Sequence, residues 1–239
     1  MKLTDIPTDV SNHDTLLQVL SSAGLPYDVR QSRLSPYIGL AEDFDTYFAG
    51  RSANTRSRLR RAWKKINAHG QVTIKKMTKH SEVINAVDTA FDISSKSWKA
   101  DIDTDMGGTK ASRQFYKSLS ETGSRKEWII LWILYLDGEP AAMQYHVVYR
   151  QHAYLLRTDF DKRFADLSAG AALELQILKD YFDSDLVEYD LCGADYTYKL
   201  KLTSLIRSHS TIEIFNHRMP SRLLFVAKRY ILPRIGVSG

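Results

Sequence analysis

Four aspartates, two tyrosines and a lysine gather in one stretch of this 239-residue chain: Asp159, Asp161, Asp190, Asp195, Tyr196, Tyr198 and Lys199. Transfer of an acyl group from a thioester to an amine needs a base that takes a proton from the amine and an acid that protonates the departing thiolate. A carboxylate suits the first role, and Tyr196 or Tyr198 suits the second. Asp159, Asp161, Asp190, Tyr198 and Lys199 are therefore the candidate catalytic residues, and Lys199 and Lys201 could also hold a phosphate or an acidic acceptor. Aspartates equally serve turns and loops, so a turn-forming role stands beside the catalytic one for each of them. Ser168-Ala169-Gly170 lies in the same stretch, where an apolar helix pattern begins. A helix N-terminus offers N–H groups without intrahelical partners and the positive end of the dipole, which together can hold a phosphate or pyrophosphate. Ser168 reads as the N-cap, and Gly170 lets an anion come close to the backbone. His146 alternates with Gln144 and Val148 along a strand and reads as a hydrogen-bonded sheet histidine rather than a base.

The elements that must position these residues follow from pattern. Trp128–Leu136 is an unbroken apolar run, too short for the ~20 residues of a membrane helix, and reads as a buried strand. Asp137-Gly138 predicts a tight hairpin into a second strand at Ala141–Tyr149, and a further turn at Arg150-Gln151 leads to a third at His152–Asp159. A polar loop over 161–166 precedes the helix, where Ala171, Leu175, Leu178 and Phe182 share a face. Val187–Leu191 is the next strand, broken by Cys192-Gly193-Ala194. Upstream, the spacing predicts a strand at Gln71–Lys76, a helix at Ser81–Trp98 with Ile84, Val87, Phe91 and Trp98 on one side, and a helix at Lys110–Leu119. Asp14–Ala23 reads as a short helix, Tyr27–Gly39 as irregular or short strand, and Glu42–Phe48 as a helical turn. Thr211–Phe215 reads as a last strand and Ser221–Tyr230 as a basic terminal helix. Asp101, Asp103 and Asp105 alternate as in a calcium loop, but Met106, Lys110 and Arg113 break the pattern, so no metal is expected.

Four segments, in order, carry a resemblance: Leu136-Asp-Gly-Glu-Pro-Ala-Ala142, Phe160-Asp-Lys-Arg-Phe-Ala-Asp-Leu-Ser-Ala-Gly170, Tyr189-Asp-Leu-Cys-Gly193 and Asp195-Tyr-Thr-Tyr-Lys199. With them the chain resembles the GNAT-like acetyltransferases of the cellulose-biosynthesis (CelD-like) and FemAB-related type over roughly Arg51–Leu202. The resemblance implies an α+β fold, with a mixed, mainly antiparallel central sheet flanked by helices. It implies transfer of an acyl group, typically from acetyl-coenzyme A, to an amine or hydroxyl of a saccharide or cell-envelope acceptor. FemAB-type relatives instead take an aminoacyl group from tRNA. By the same resemblance, the strands ending near Asp159 and at Val187–Leu191 splay apart to admit the pantetheine arm. Ser168, Gly170, Ala171 and Ala172 would meet the pyrophosphate. Arg58, Arg61, Asp195 and Tyr196 are the candidate substrate-binding residues. Leu167 stands where the common pyrophosphate signature has Gln or Arg, and Ala194 is an extra residue after Gly193.

Arg51–Lys65 carries seven basic residues and no acidic one, with Leu59, Trp63 and Ile66 as its apolar stripe. Such a helix docks by the stripe and offers its basic face to an anion: coenzyme phosphates, a polyanionic glycan, a lipid-linked acceptor, tRNA or an anionic membrane surface. No stable nucleic-acid complex is expected. A degenerate, non-catalytic domain that binds anionic polymer through this helix is the non-enzymatic alternative. At 44% hydrophobic, 26% charged and net +5, the chain can bury one sizeable core. The expected division is a reduced N-terminal segment over 1–50, the remnant of a first GNAT-like half, and the acyltransferase domain over 51–239. A homodimer could complete an acceptor cleft left open by so short a first half. One cysteine, Cys192, allows no internal disulfide, and no apolar leader opens the sequence. Cytoplasm is the expected location, with the inner membrane surface an option and no transmembrane segment.

Overall fold

The computed structural model describes residues 1–193, 197–216, 218–220 and 225. The fold is α+β with mostly antiparallel strands flanked by helices, as expected, and the chain forms two compact units. The first contains residues 1–36 and the C-terminal part from 205. Strand β1 (Lys2–Pro7), helix α1 (Ser11–Ser22), the first part of β2 (Tyr27–Gly39) and β8 (Ile206–Ile214) build it, with β8 between β1 and β2. Tyr27–Gly39 is a strand of 13 residues rather than an irregular segment. Its polar residues break the alternation that a sequence pattern needs, and its register slips between Gln31 and Leu34. It is held instead by a backbone ladder to β8. The last expected strand, Thr211–Phe215, begins earlier, at Ile206. The helix expected over Ser221–Tyr230 lies, but for Phe225, outside the described residues.

The second unit holds the site. It comprises the last residues of β2, α2 (Phe44–Ala49), α3 (Ala53–His69), β3 (Val72–Met77), α4 (His80–Ser95), α5 (Lys110–Ser124), β4 (Ile129–Leu136), β5 (Glu139–Tyr149), β6 (His152–Phe160), α6 (Ala169–Phe182), β7 (Glu188–Asp190) and the short α7 (Thr197–Leu200). Its strands run in the order β2-β7-β6-β5-β4-β3, all antiparallel except the β6–β7 pair. The unbroken apolar run of β4 has a direct cause. Ile129, Leu131 and Ile133 enter a core with Val87, Phe91 and Ile93 of α4, while Trp132, Leu134 and Leu136 enter a second core with α2, α3 and α6. A strand buried on both faces has no solvent side on which to place polar residues. The turn after β4 takes positive φ at both Asp137 (50°) and Gly138 (82°), and the next does so at Arg150 and Gln151. Both are the tight hairpins expected, since two successive positive-φ residues match the twist of the flanking strands.

Helix α3 starts at the Ser52 cap, whose hydroxyl accepts the Thr55 amide at 3.2 Å, and packs Leu59, Ala62 and Ile66 into the second core beside α6. Helix α4 stops at Ser95, short of the expected Trp98. Ser97 instead caps a separate 3-10 turn, Trp98–Ile102, and Trp98 is half exposed rather than on the buried face. Among the described residues no helix is long and apolar enough to cross a membrane. Because Ile66 is fully buried between α3 and the sheet, Ile66→Ala should lower unfolding free energy by ~2–5 kcal/mol in denaturant titration. Lys64→Ala, on the exposed side of the same helix, should change it by less than ~0.5 kcal/mol.

Candidate active site

The β6–β7 pairing ends at Tyr154↔Asp190, while β6 runs on to Phe160. Beyond that point α6 begins, and a cavity of ≈ 380 Å³ opens. Arg58 and Leu59 of α3 line it, with Trp98, Lys99, Gln144 of β5, Thr158–Phe160, Ala165, Ser168–Ala171, Glu174 of α6, Tyr198 and Leu202. The first turn of α6 leaves the Ala169 and Gly170 amides without intrahelical partners. Ser168 does not cap this turn with its side chain, contrary to expectation. It adopts a left-handed conformation (φ 55°, ψ 43°), and its carbonyl accepts the Ala171 and Ala172 amides at 3.0 and 3.1 Å. Gly170 and Ala171 line the cavity, whereas Ala172 is fully buried. A Cβ built on Gly170 would meet only Phe160 Cδ1, at an ordinary 3.5 Å.

Glu174 is the carboxylate that geometry favours as a base, and it was not among the sequence candidates. It projects from a helix face that is otherwise apolar and is 9% exposed. Its Oε2 accepts from Gln144 Nε2 at 2.7 Å, and its Oε1 has no hydrogen-bond partner. Burial raises its pKa to about 7, against smaller opposing effects of the Gln144 hydrogen bond and the charges of Arg58 and Lys199. A carboxyl poised there can accept a proton from an ammonium near neutral pH. Behind it, Gln144 Oε1 accepts from Tyr189 Oη at 3.1 Å and from His146 Nε2 at 2.9 Å. An amide oxygen only accepts, so His146 carries its proton on Nε2, and its Nδ1 accepts from Tyr181 Oη at 2.8 Å. Full burial pushes the His146 pKa down to about 3, which keeps the ring neutral and structural. The signal in the sequence was faint: Gln144, His146 and Glu174 are polar residues inside apolar runs.

The sequence candidates separate into distinct environments. Asp159 lines the cavity, but its carboxylate is engaged by Ser94 Oγ (2.5 Å), Arg157 Nε (2.7 Å) and Lys99 Nζ (2.6 Å). Those contacts tie β6 to α4 and to the turn that carries Trp98. Asp161 accepts the Arg163 amide at 2.9 Å and pairs with its guanidinium, capping the 3-10 turn Lys162–Leu167. Asp190 is buried and accepts the Cys192 amide at 2.7 Å, beside the left-handed residues Cys192 and Gly193. Lys199 donates to the Cys192 carbonyl, and its burial lowers its pKa. Tyr198 reaches the cavity and is 43% exposed. Arg58 reaches the cavity, while Arg61 lies with Arg56, Arg60 and Lys64 in a groove on the outer face of α3. Asp195 and Tyr196 lie outside the described residues. The geometry thus brings Arg58, Asp159, Ser168, Gly170, Ala171 and Tyr198 to one cavity with Glu174, and not Asp161, Asp190, Lys199, Ala172 or Arg61.

Glu174 has a stability consequence. Its folded pKa, about 7, stands above the ordinary 4.5, so the folded state binds the extra proton between these values. Stability therefore falls as pH rises through that window. Glu174→Gln should be more stable than the native chain by about 3 kcal/mol above pH 7 and equal to it below pH 4.5, in melts followed across pH. A difference that does not vary with pH would place an ordinary carboxylate at this position.

No curated protein matches the chain. Among solved structures it is similar to FemX (12% identity, TM-score 0.67, covering 94% of this chain and 73% of that one). It is also similar to the C-terminal domain of an Agrobacterium fabrum protein assigned as a lysylphosphatidylglycerol synthetase (15%, 0.60, 95% and 72%) and to L-PGS from Bacillus licheniformis (12%, 0.58, 94% and 71%). These likenesses bear on the fold. The family follows from residues 53–200, which contain every lining residue of the cavity except Leu202 and match the acetyltransferase (GNAT) domain model. The chain belongs to that acyltransferase family.

Proposed function

We propose that the chain transfers an acyl group from a coenzyme A thioester to an amine, with Glu174 as the base. The carrying observation is the buried Glu174 carboxylate, with one oxygen fixed by Gln144 and the other unpartnered, in the cavity at the start of α6. The first turn of α6 would receive the pyrophosphate on the Ala169 and Gly170 amides, and the gap where β6 outruns β7 would take the pantetheine arm. Glu174 takes a proton from the acceptor ammonium, and the nitrogen lone pair then bonds to the thioester carbonyl carbon. The carbon–sulfur bond breaks, and the thiolate takes the second nitrogen proton by way of the Tyr198 hydroxyl. A buried carboxylate with one unpartnered oxygen suits a charged amine better than the neutral saccharide hydroxyl that the resemblance implied.

Aminoacyl transfer is the second reading. It draws on the likeness to FemX and to a lysylphosphatidylglycerol synthetase, and on Leu167, which stands where a pyrophosphate-binding Gln or Arg would be. Thermal stability with added acetyl-coenzyme A separates the two. At ~100 times its dissociation constant the thioester should add ~2.7 kcal/mol to the native protein. Gly170→Glu, which sets a carboxylate at the pyrophosphate position with space for its Cβ, should melt as the native chain does and lose the response. A native protein indifferent to millimolar acetyl-coenzyme A would overturn the thioester donor and favour an aminoacyl one.

A further inference from the structure

We infer that the acceptor is a free α-amino acid with an apolar side chain, its amine on Glu174 and its carboxylate on Arg58. The inference rests on the acyl-transfer function proposed for the same cavity and names its acceptor. Three residues that line the cavity each keep a buried polar atom without a hydrogen-bond partner; that of Asp159, Oδ1, is ion-paired with Lys99 at 2.6 Å, and the other two have opposite hydrogen-bonding sense. Oε1 of ionised Glu174 can only accept, and Arg58 Nε can only donate. Buried groups left unmet are costly and uncommon in folded proteins. The two side chains attract one another, yet neither atom satisfies the other. A ligand that carries an ammonium and a carboxylate on one carbon answers both.

Other features of the cavity agree. Lys99, the second lining cation, is committed to Asp159 at 2.6 Å and to the Thr158 carbonyl at 2.7 Å, so the guanidinium is the better partner for an incoming carboxylate. Leu59, Phe160, Ala171 and Leu202 supply apolar wall, which favours an aliphatic or aromatic side chain over a charged one. With such an acceptor the reaction balances. The ammonium loses one proton through Glu174 to water and the other to the thiolate, and the products are an N-acyl amino acid, the free thiol and one proton.

Titration calorimetry of the purified chain with L-leucine and L-phenylalanine tests this, set against 3-methylbutylamine and phenethylamine, which lack the carboxylate, and against the two methyl esters. The free acids should bind, with the amines and esters weaker by about tenfold or more. Arg58→Met should bring the acids down to the level of their amines. Acids and amines of equal affinity, no binding of either acid at millimolar concentration, or an Arg58→Met chain that still prefers the acids would each overturn the inference. Esters equal to the free acids would also overturn it and point to an aminoacyl group in the cavity. The acetyl-coenzyme A melt is read separately. A chain that binds leucine but not the thioester keeps this acceptor and loses the donor, and the opposite result does the reverse.

Discussion

The orientation of one buried amide governs the site. Gln144 sits at the centre of β5 with its oxygen shared by Tyr189 and His146 and its nitrogen turned to Glu174. With Glu174 ionised, flipping the amide would turn its oxygen toward a carboxylate, so the observed orientation is the one that suits the charged site. His146 is locked in turn by Tyr181, whose ring stands nearly perpendicular to both its own and that of Tyr189. Glu174 is thereby held by one oxygen only. Burial keeps its proton affinity high, and the second oxygen is left to act.

The scaffold serves this arrangement from both faces of the sheet. Helix α6 presents its N-terminal turn to the cavity and, one turn later, Glu174, so the proposed donor and base positions share one rigid element. Helix α3 packs on α6 through Leu59, Ala62 and Ile66 and brings Arg58 to the same space. On the other face, Asp159 binds Ser94, Lys99 and Arg157 together, which anchors the turn carrying Trp98 to the end of β6. Breaking that buried cluster would leave an uncompensated charge in the protein interior, a severe cost. Asp159 thus acts by positioning, as Asp161 and Asp190 act by closing turns.

Much of the fold was legible because its signals are local. The β4 run, the Asp137-Gly138 hairpin and the apolar stripe of α3 each declare themselves within a dozen residues. Strand β2 did not, because its partner β8 lies far along the chain and the pairing is made by backbone, which side-chain alternation does not report. The site divides in the same way. The start of α6, Arg58 and Tyr198 could be named from motif and charge. The aspartates stood out by type, but their hydrogen bonds consume them in structure. Glu174 was invisible for the complementary reason: its environment is built by Gln144, thirty positions away in sequence, and by Arg58 on another helix. Ser168 shows how a motif can mark a helix start without naming the atom that shapes it, since its backbone rather than its hydroxyl makes the turn.

The protonation of the Glu174 carboxyl can be observed without knowing either substrate. Carbon-13 NMR of protein labelled at the glutamate side-chain carboxyl, titrated with pH and assigned by difference from Glu174→Gln, reads it directly. One resonance should titrate near pH 7, as burial requires. A Glu174 resonance that titrates in the ordinary range near 4.5 would instead show that the site holds an ordinary carboxylate and no base tuned to neutral pH.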